Sequence, residues 1–364
     1  MAALTQAGTS VWLDQIHRSA TRGGELARMV REDSLRGVTS NPAIFASAIL
    51  GSPDYDEHIR RLAGQGMLAH AIYQDIAIED VQDAADVLRP VYDALDGADG
   101  FVSLEVDPDL ACDGDRTLAQ VREYWERVDR PNVMIKIPGT PEGVPAIEQA
   151  IYEQINVNVT LLFAVDAYAQ VAEAYIRGLE RRHADGLSLD VRSVASFFIS
   201  RVDGEVDGRL HAVGRSDLQG QAAVANARAA YRRFEQIFQG QRFGVLRAAG
   251  AAVQRPLWAS TGVKNPAYST TKYVDELVGA DTVNTMPMPT LLACARSLEV
   301  RGQTVTEDPA AVLAALADAG IDMHDVTSVL LREGIAAFVT PMQKLLAGIE
   351  ATMRSKRDHE RRPR

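Results

Sequence analysis

The stretch Ile-Asn-Val-Asn-Val-Thr-Leu at residues 155–161 alternates apolar and polar side chains. A β-strand points successive side chains to opposite faces, so Asn156, Asn158 and Thr160 share one face and the apolar residues share the other. The pattern therefore predicts a strand with one polar and one apolar face.

Two segments before this stretch repeat the pattern. Residues 102–107 carry Glu105 on their polar face, and residues 133–137 carry Lys136 on the face of Met134. Strands of a parallel sheet are usually apolar on both faces because both faces are buried. Polar faces on strands that helices separate predict the inside of a closed barrel, whereas an antiparallel sheet with one solvent face is the alternative.

Short strand-like runs alternate with longer helical patterns along most of the chain. The predicted strands are 11–14, 37–41, 101–107, 133–137, 155–163, 194–200, 257–261 and 282–286. The main predicted helices are 71–96, 117–128, 144–153, 166–182, 221–238 and a C-terminal helix or helix pair at 322–353. Eight strand–helix units predict an α/β fold, a single-domain (β/α)8 TIM barrel with extra C-terminal helices over residues 1–353. Residues 354–364 are expected to form a charged, disordered tail.

The composition of the chain limits its possible partners. The 364 residues are 46% hydrophobic and carry a net charge of −11, which argues against non-specific nucleic-acid binding because that needs a basic surface. We find no run of about 20 apolar residues that would predict a membrane span. Two distant cysteines, Cys112 and Cys294, do not make a disulfide framework and favour the reducing cytoplasm.

Lys136 is the most chemically informative residue on the predicted inner face. It lies in Asn-Val-Met-Ile-Lys-Ile-Pro at residues 132–138. An amine attacks a ketone only in its neutral form, which burial among aliphatic side chains favours. Asp14 and Glu105 are expected to point inward near the C-terminal ends of other strands, where barrel enzymes carry their chemistry. Since buried ionisable groups are costly unless paired, the three residues predict a site.

Patterns for metals and nucleotides are missing from the sequence. The seven histidines show no ligand spacing such as His-Glu-x-x-His, and no glycine-containing segment matches a Walker loop or a dinucleotide fingerprint. We therefore expect no metal and no cofactor.

The motifs together resemble the transaldolase family from Trp12 to about Leu292. In chain order they are Trp-Leu-Asp at 12–14, Gly-Val-Thr-Ser-Asn-Pro at 37–42, Ser-Leu-Glu-Val-Asp at 103–107, Met-Ile-Lys-Ile-Pro at 134–138, Asn-Val-Thr-Leu-Leu-Phe at 158–163, Ala-Ser-Phe-Phe-Ile-Ser-Arg at 195–201 and Ala-Ser-Thr-Gly-Val-Lys-Asn at 259–265. The segments at 258–262 and 281–287 are similar to a bacterial subgroup with longer chains. The resemblance implies a cytoplasmic transferase of the non-oxidative pentose phosphate pathway.

The resemblance also implies a reaction and a role for each site residue. A dihydroxyacetone unit would pass from a ketose phosphate, such as sedoheptulose 7-phosphate or fructose 6-phosphate, to glyceraldehyde 3-phosphate or erythrose 4-phosphate. Lys136 would hold the unit as a Schiff base, Glu105 and Thr160 would hold a proton-shuttling water, and Asp14 would act as the base. The implied substrate-binding residues are Asn41, Asn158 and Ser196 for the hydroxyls, Phe198 for the pocket wall, and Arg201, Ser260 and Lys264 for the phosphate. Lys264 stands where many relatives carry arginine, and lysine binds phosphate as a point charge.

Some alternatives remain open at this point. A fructose-6-phosphate aldolase would use the same lysine but tends to carry Gln at the position of Glu105 and Tyr at that of Phe198, so both positions favour transfer. A non-catalytic phosphate-binding barrel is a second alternative, because a fold does not give a function. Asp14 and Asn41 also have a structural interpretation as helix caps. A monomer and a homodimer are both compatible with the sequence.

Overall fold

Eight parallel strands form a closed barrel in the computed structural model, which describes residues 1–360 and the side chains of residues 1–354. The strands are β1 (Thr9–Leu13), β2 (Gly37–Thr39), β3 (Phe101–Glu105), β4 (Val133–Pro138), β5 (Val157–Leu162), β6 (Ser193–Phe198), β7 (Arg255–Ala259) and β8 (Thr282–Met286). Each strand pairs with its neighbours in the chain, and β8 pairs with β1. The predicted TIM barrel is confirmed.

Helices surround the strands and continue beyond the last one. Those before β5 are α1 (Ala2–Gln6), α2 (Arg18–Arg22), α3 (Glu25–Glu32), α4 (Pro42–Gly51), α5 (Asp56–Gly64), α6 (Ala69–Ala94), α7 (Gly114–Val128) and α8 (Gly143–Tyr152). Those after β5 are α9 (Val165–Ala184), α10 (Ser200–Ala212), α11 (Ala222–Phe238), α12 (Gln241–Ala248), α13 (Lys272–Asp275), α14 (Met288–Ser297), α15 (Ala310–Asp318) and α16 (Met323–Glu360). Short 3-10 helices lie at Pro53–Tyr55, Pro108–Leu110, Ser216–Leu218 and Thr304–Thr306.

Four strands end two residues earlier than predicted, because the residues at their carboxyl ends begin the next element or leave the extended conformation. Asn41 caps α4, with Pro42 at the first helical turn, so β2 stops before it. Pro108 starts a 3-10 turn after β3, and α10 starts at Ser200. Ser260 has a φ of 55°, which ends β7 in the left-handed region. The predicted strands at 37–41, 101–107, 194–200 and 257–261 were too long for this reason.

A bulge interrupts β5 in the middle of its predicted alternation. The pairing with β6 shifts register between Val159 and Leu162, and Leu161 has a φ of 60°. Leu161 was expected on the outer, apolar face of the strand, which packs against the surrounding helices. Instead it lies against Gly334 of α16, where a Cβ atom would come within 3.1 Å of the Leu161 Cδ2 atom.

The C-terminal pattern forms one helix rather than a pair, although Pro341 lies inside it. This helix, α16, packs on α4, α5, α6 and α10 and reaches β5. The backbone of α16 extends to Glu360, and residues 361–364 of the expected tail lie outside the described residues. None of the described helices combines the length and the hydropathy that crossing a bilayer requires.

Candidate functional site

A cavity lies where the strands end, between the carboxyl edge of the barrel and α16. Most of its walls are side chains at or just beyond the ends of β1, β2 and β4–β8, and one comes from α16. The lining residues are Asp14, Thr39, Asn41, Lys136, Thr160, Ser196, Phe198, Arg201, Ala259, Ser260, Thr285 and Phe338.

Lys136 and Glu105 form a buried ion pair at this cavity. The two residues are register partners on β4 and β3, so their side chains point to the same side of the sheet. The Lys136 Nζ atom lies 3.0 Å from the Glu105 Oε2 atom and donates a hydrogen bond of 2.9 Å to the Ser40 carbonyl. Only about 5% of each residue is exposed, at 5% for Lys136 and 4% for Glu105, so the pair is largely shielded from water.

Asp14 is held by a short chain of hydroxyl groups. The Thr39 hydroxyl donates to the Asp14 Oδ1 atom at 2.6 Å and lies 2.7 Å from the Thr285 hydroxyl. These three residues follow or end β1, β2 and β8, which are neighbours in the barrel. The hydrogen bond fixes one carboxylate oxygen and leaves Asp14 at the cavity wall.

A second network crosses the barrel interior below the cavity. The Ser196 hydroxyl donates to the Asn158 Oδ1 atom at 2.7 Å, and the Asn158 amide donates to the Ser103 hydroxyl at 3.0 Å. Both functional ends of the Asn158 amide are therefore fixed. Thr160, two residues farther along β5, has a buried hydroxyl with no hydrogen-bond partner among the described residues. Thr160 lines the cavity, where its hydroxyl can bind a water or a substrate oxygen.

Burial makes the negative charge of both carboxylates unfavourable. Burial raises the pKa of Glu105, and the nearby Asp14 charge raises it further, whereas Lys136 opposes the change. Burial also raises the pKa of Asp14, against the hydrogen bond from Thr39 and the charge of Lys136. Each carboxyl group is thus closer to proton exchange at neutral pH than an exposed one, which suits acid–base chemistry.

The two other cations of the site, Arg201 and Lys264, follow β6 and β7. The Arg201 guanidinium carbon lies 5.5 Å from the centre of the Phe198 ring and 6.0 Å from that of the Phe338 ring. Burial lowers the pKa of Arg201, and burial followed by repulsion from Arg201 lowers the pKa of Lys264. Two partly desolvated cations that repel each other would both gain from an anion placed beside them.

Eight of the eleven site residues predicted from the sequence line the cavity, and the others adjoin it. Glu105 contacts Lys136, and Asn158 contacts Ser196. Lys264 lies close enough to Arg201 for the two positive charges to repel each other. Asn41 lines the cavity and also caps α4, where its side chain accepts a hydrogen bond from the Ile44 amide.

Asp107 and Asn156, which alternation places on the polar faces of the predicted strands 101–107 and 155–163, lie away from the cavity. Asp107 lies beyond β3 and instead accepts hydrogen bonds from His70 and Gln120. The Asn156 amide donates to the carbonyl groups of Pro131 and Val133, before and at the start of β4. Both lie outside the bounds of their observed strands, so the alternation of faces does not extend to them.

The cavity also includes residues that sequence reasoning missed. Thr285 lies on β8, where Thr282, Asn284 and Thr285 are polar on both faces, so alternation did not show which face is inside. Phe338 follows the last strand by some fifty residues, and its helical periodicity did not reveal where the helix docks. Thr39 carried no clear signal for a site or a structural role.

One group of the described residues is close enough to hold a metal ion, and it lies elsewhere. Ligand atoms of His58, Asp75 and Glu79 all lie within 4.8 Å of one another. However, the Arg18 Nη1 atom is 3.1 Å from the His58 Nδ1 atom, and Arg18 also approaches Glu79. A cation inside the group repels a metal, and none of these residues lines the cavity.

Known proteins that are similar to this chain come from one family. A family model described as Transaldolase/Fructose-6-phosphate aldolase matches residues 11–349. Proteins named Transaldolase from Saccharopolyspora erythraea and from Parafrankia sp. are each 49% identical, with 95% and 98% of both chains covered. A Transaldolase from Mycolicibacterium smegmatis is 48% identical over 95% of both chains.

Proposed function

The chain belongs to the transaldolase/fructose-6-phosphate aldolase family, and from this premise we propose that it moves a dihydroxyacetone unit between sugar phosphates. The observation that carries the proposal is the buried ion pair of Lys136 and Glu105 at a cavity with hydroxyl groups on one side and cations on the other. A lysine beside a carboxylate of raised pKa has both the nucleophile and the proton carrier that imine formation requires.

The first step joins Lys136 to the ketose. The Lys136 ammonium transfers a proton to the Glu105 carboxylate, and the neutral amine that results attacks the ketone carbon, which gives a carbinolamine. Protonation of the carbinolamine hydroxyl releases water and leaves a protonated Schiff base. The unpartnered Thr160 hydroxyl supports a role in holding the water that carries these protons.

The second step breaks the bond between carbons 3 and 4. Asp14 takes the proton of the carbon-4 hydroxyl, the aldose phosphate leaves, and the bonding electrons enter the iminium to give an enamine. The hydrogen bond from Thr39 orients Asp14 for this proton transfer. Asn41, Asn158 and Ser196 hold the hydroxyls of the bound unit, and the fixed amide of Asn158 supports such a role.

The third step returns the unit to a new acceptor. The enamine carbon attacks the aldehyde of a second aldose phosphate, Asp14 returns its proton to the new hydroxyl, and water hydrolyses the Schiff base. Arg201, Ser260 and Lys264 bind the phosphate of donor and acceptor in turn. Phe198 covers the reacting carbons, and the apolar ring favours transfer to an aldehyde over protonation by water.

The remaining proposals concern the setting of the reaction. We place it in the cytoplasm, in the non-oxidative exchange of sugar phosphates, with a monomer or a homodimer as the active species. No nucleic-acid or membrane partner is proposed, in accord with the net charge of −11.

Borohydride reduction in the presence of fructose 6-phosphate tests the proposal. We expect an added mass of one reduced dihydroxyacetone unit on Lys136, and none after Lys136→Met. Lys344→Met is the matched control, because Lys344 is exposed on α16 away from the cavity, and it should leave the labelling unchanged.

The same mixture distinguishes transfer from lysis. Turnover of fructose 6-phosphate should require erythrose 4-phosphate as the acceptor, because glyceraldehyde 3-phosphate is the aldose that this donor itself releases. An adduct on another lysine would refute the mechanism, and free dihydroxyacetone formed at the full rate without an acceptor would indicate the aldolase.

A further inference from the structure

A second cavity, of about 380 Å³, lies at the opposite end of the barrel, where the strands begin. Phe101 and Met134, at the starts of β3 and β4, form part of its wall. Three arginines from separate segments also line it: Arg192 before β6, Arg247 on α12 and Arg255 at the start of β7. Residues of the transfer site take no part in this cavity.

Arg192 has hydrogen-bonding capacity that the protein does not use. A guanidinium group carries five N–H donors. The Arg192 Nη2 atom donates to the Asp96 carbonyl at 3.2 Å and lies 3.1 Å from the exposed Asp190 carboxylate. The Arg192 Nε atom is buried and has no hydrogen-bond partner among the described residues. A buried donor without a partner is costly, so it points to an acceptor from outside the chain.

The other two arginines are also incompletely paired. The Arg247 Nη2 atom donates a hydrogen bond of 2.7 Å to the Phe238 carbonyl. Arg255 reaches the buried Asp99 only at 3.5 Å. The Asp99 Oδ2 atom that faces Arg255 accepts a hydrogen bond from the Ser10 hydroxyl, and the other carboxylate oxygen accepts one of 2.8 Å from the Trp12 indole, so Arg255 is not the main partner of Asp99.

The carboxylates around this cavity do not satisfy the three cations. Asp281 lines the cavity but makes no recorded ion pair with any of them, and Asp190 is on the exposed rim. Arg242, by contrast, shows how arginines elsewhere on this acidic chain are satisfied: it meets Glu173 and Glu180 through four hydrogen bonds of 2.6–3.0 Å.

We propose that this cavity is a second anion-binding site, for a phosphate or phosphate monoester, at the end of the barrel remote from the transfer site. Arginine forks match the geometry of phosphate oxygens, and three of them can neutralise a dianion. The volume leaves room for a small organic group beside the phosphate. The site is independent of the proposed function, since none of its residues serves the transfer reaction.

Calorimetric titration with inorganic phosphate tests the proposal on the full-length protein and four variants. Arg201→Gln weakens the phosphate subsite of the transfer site, so the binding that remains reports the second cavity. Arg247→Gln and Arg255→Gln each remove one proposed ligand from a different element. Arg233→Gln is the matched control, because Arg233 is an exposed arginine of α11 whose recorded partner is Gln236. Circular dichroism checks that each variant is folded.

We expect Arg201→Gln to retain one binding event, that of the second cavity, and Arg233→Gln to bind as the unaltered protein does. Arg247→Gln should weaken the second-cavity event at least tenfold while sugar-phosphate transfer continues. Arg255→Gln should behave like Arg247→Gln if it folds. The proposal is overturned if Arg201→Gln abolishes all binding, if Arg247→Gln leaves binding unchanged, or if Arg233→Gln weakens it as much as Arg247→Gln.

Discussion

The surroundings of Asp14 favour its protonated, neutral form over the charged carboxylate. Burial raises its pKa, and the Thr39 hydrogen bond and the Lys136 charge offset this only in part. A raised pKa in the folded state means that the folded chain binds this proton more tightly than the unfolded chain. The contribution of Asp14 to the free energy of unfolding is therefore lost as the pH rises through the pKa that Asp14 has in the folded state.

Asp14→Asn should make the protein more stable and almost inactive at neutral pH. An amide carries no charge to desolvate and can still accept the hydrogen bond from Thr39, while loss of the base should lower kcat by about 10²–10⁴. Thermal unfolding of both proteins from pH 3 to pH 8 checks this. The gain in Tm should be largest near neutral pH and disappear in acid, and a gain independent of pH would contradict the assigned cause.

Thr160→Val tests the unpartnered hydroxyl of β5. Valine has a similar shape, and it removes a buried polar atom without a partner, so the free energy of unfolding should stay within about 1 kcal/mol or rise. Single-turnover labelling of Lys136 should nevertheless slow, because the water that carries protons loses a partner.

Thr117→Val is the control for that experiment. The Thr117 hydroxyl is also buried, but it donates to the Leu110 carbonyl at 2.9 Å. Its loss should cost about 1–3 kcal/mol and leave the labelling rate unchanged. If the two variants lose equal stability, the Thr160 hydroxyl has a partner that the geometry does not record.

Among the elements, strands were easier to predict than the segments that join them. Alternation around Glu105, Lys136 and Asn158 placed these residues inside a barrel because each lies within the bounds of its observed strand. The bulge at Leu161 depends on contacts across the barrel, which periodicity does not contain. The helix cap at Asn41, by contrast, was one of the two interpretations of this residue before Pro42, and it is confirmed. The family resemblance supplied roles that spacing alone did not.

The loop after β7 has little regular structure and is anchored to the rest of the protein by the side chain of Tyr268. The Tyr268 hydroxyl donates to the Asp207 carboxylate of α10 at 2.6 Å, and the Tyr268 ring lies against Gly220, where a Cβ atom would come within 2.7 Å of it. The Lys272 Nζ atom lies 5.5 Å from the centre of the ring. This loop carries Lys264, so the anchor holds a proposed phosphate ligand in place.

Tyr268→Phe should raise KM for sugar phosphates by up to about tenfold, which corresponds to about 1.4 kcal/mol, with little change in kcat. Tyr152→Phe is a matched control, because the Tyr152 hydroxyl also meets a carboxylate, Asp185 at 2.9 Å, on helices away from the cavity. Steady-state kinetics of both variants decide the matter, and equal KM values would show that the anchor does not act on phosphate binding.

At the scale of the whole molecule, α16 contributes side chains both to the hydrophobic core and to the wall of the cavity. Phe338 lies in the cavity wall beside Arg201, while Leu345, two turns later on the same helix, is fully buried away from it. One helix thus contributes both to the core and to the proposed phosphate subsite.

Phe338→Ala and Leu345→Ala separate these two contributions. Each should cost about 2–5 kcal/mol of unfolding free energy, because each removes a buried side chain. Only Phe338→Ala should also raise KM, since the Arg201 guanidinium loses one of its two aromatic neighbours. Urea unfolding and initial rates measure both quantities, and a similar KM for the two variants would remove Phe338 from the site.

The pairing of β1 with β8 has a consequence for the newly made chain on the ribosome. Synthesis runs from the N-terminus, so Asp14, Glu105 and Lys136 leave the exit tunnel while β8, the second partner of β1, has yet to be translated. Until Thr282–Met286 emerges, the nascent sheet exposes two unpaired strand edges, and until Phe338 emerges the cavity lacks one wall. Chaperones that cover open edges therefore have their longest opportunity to act on this protein before translation reaches its last helices.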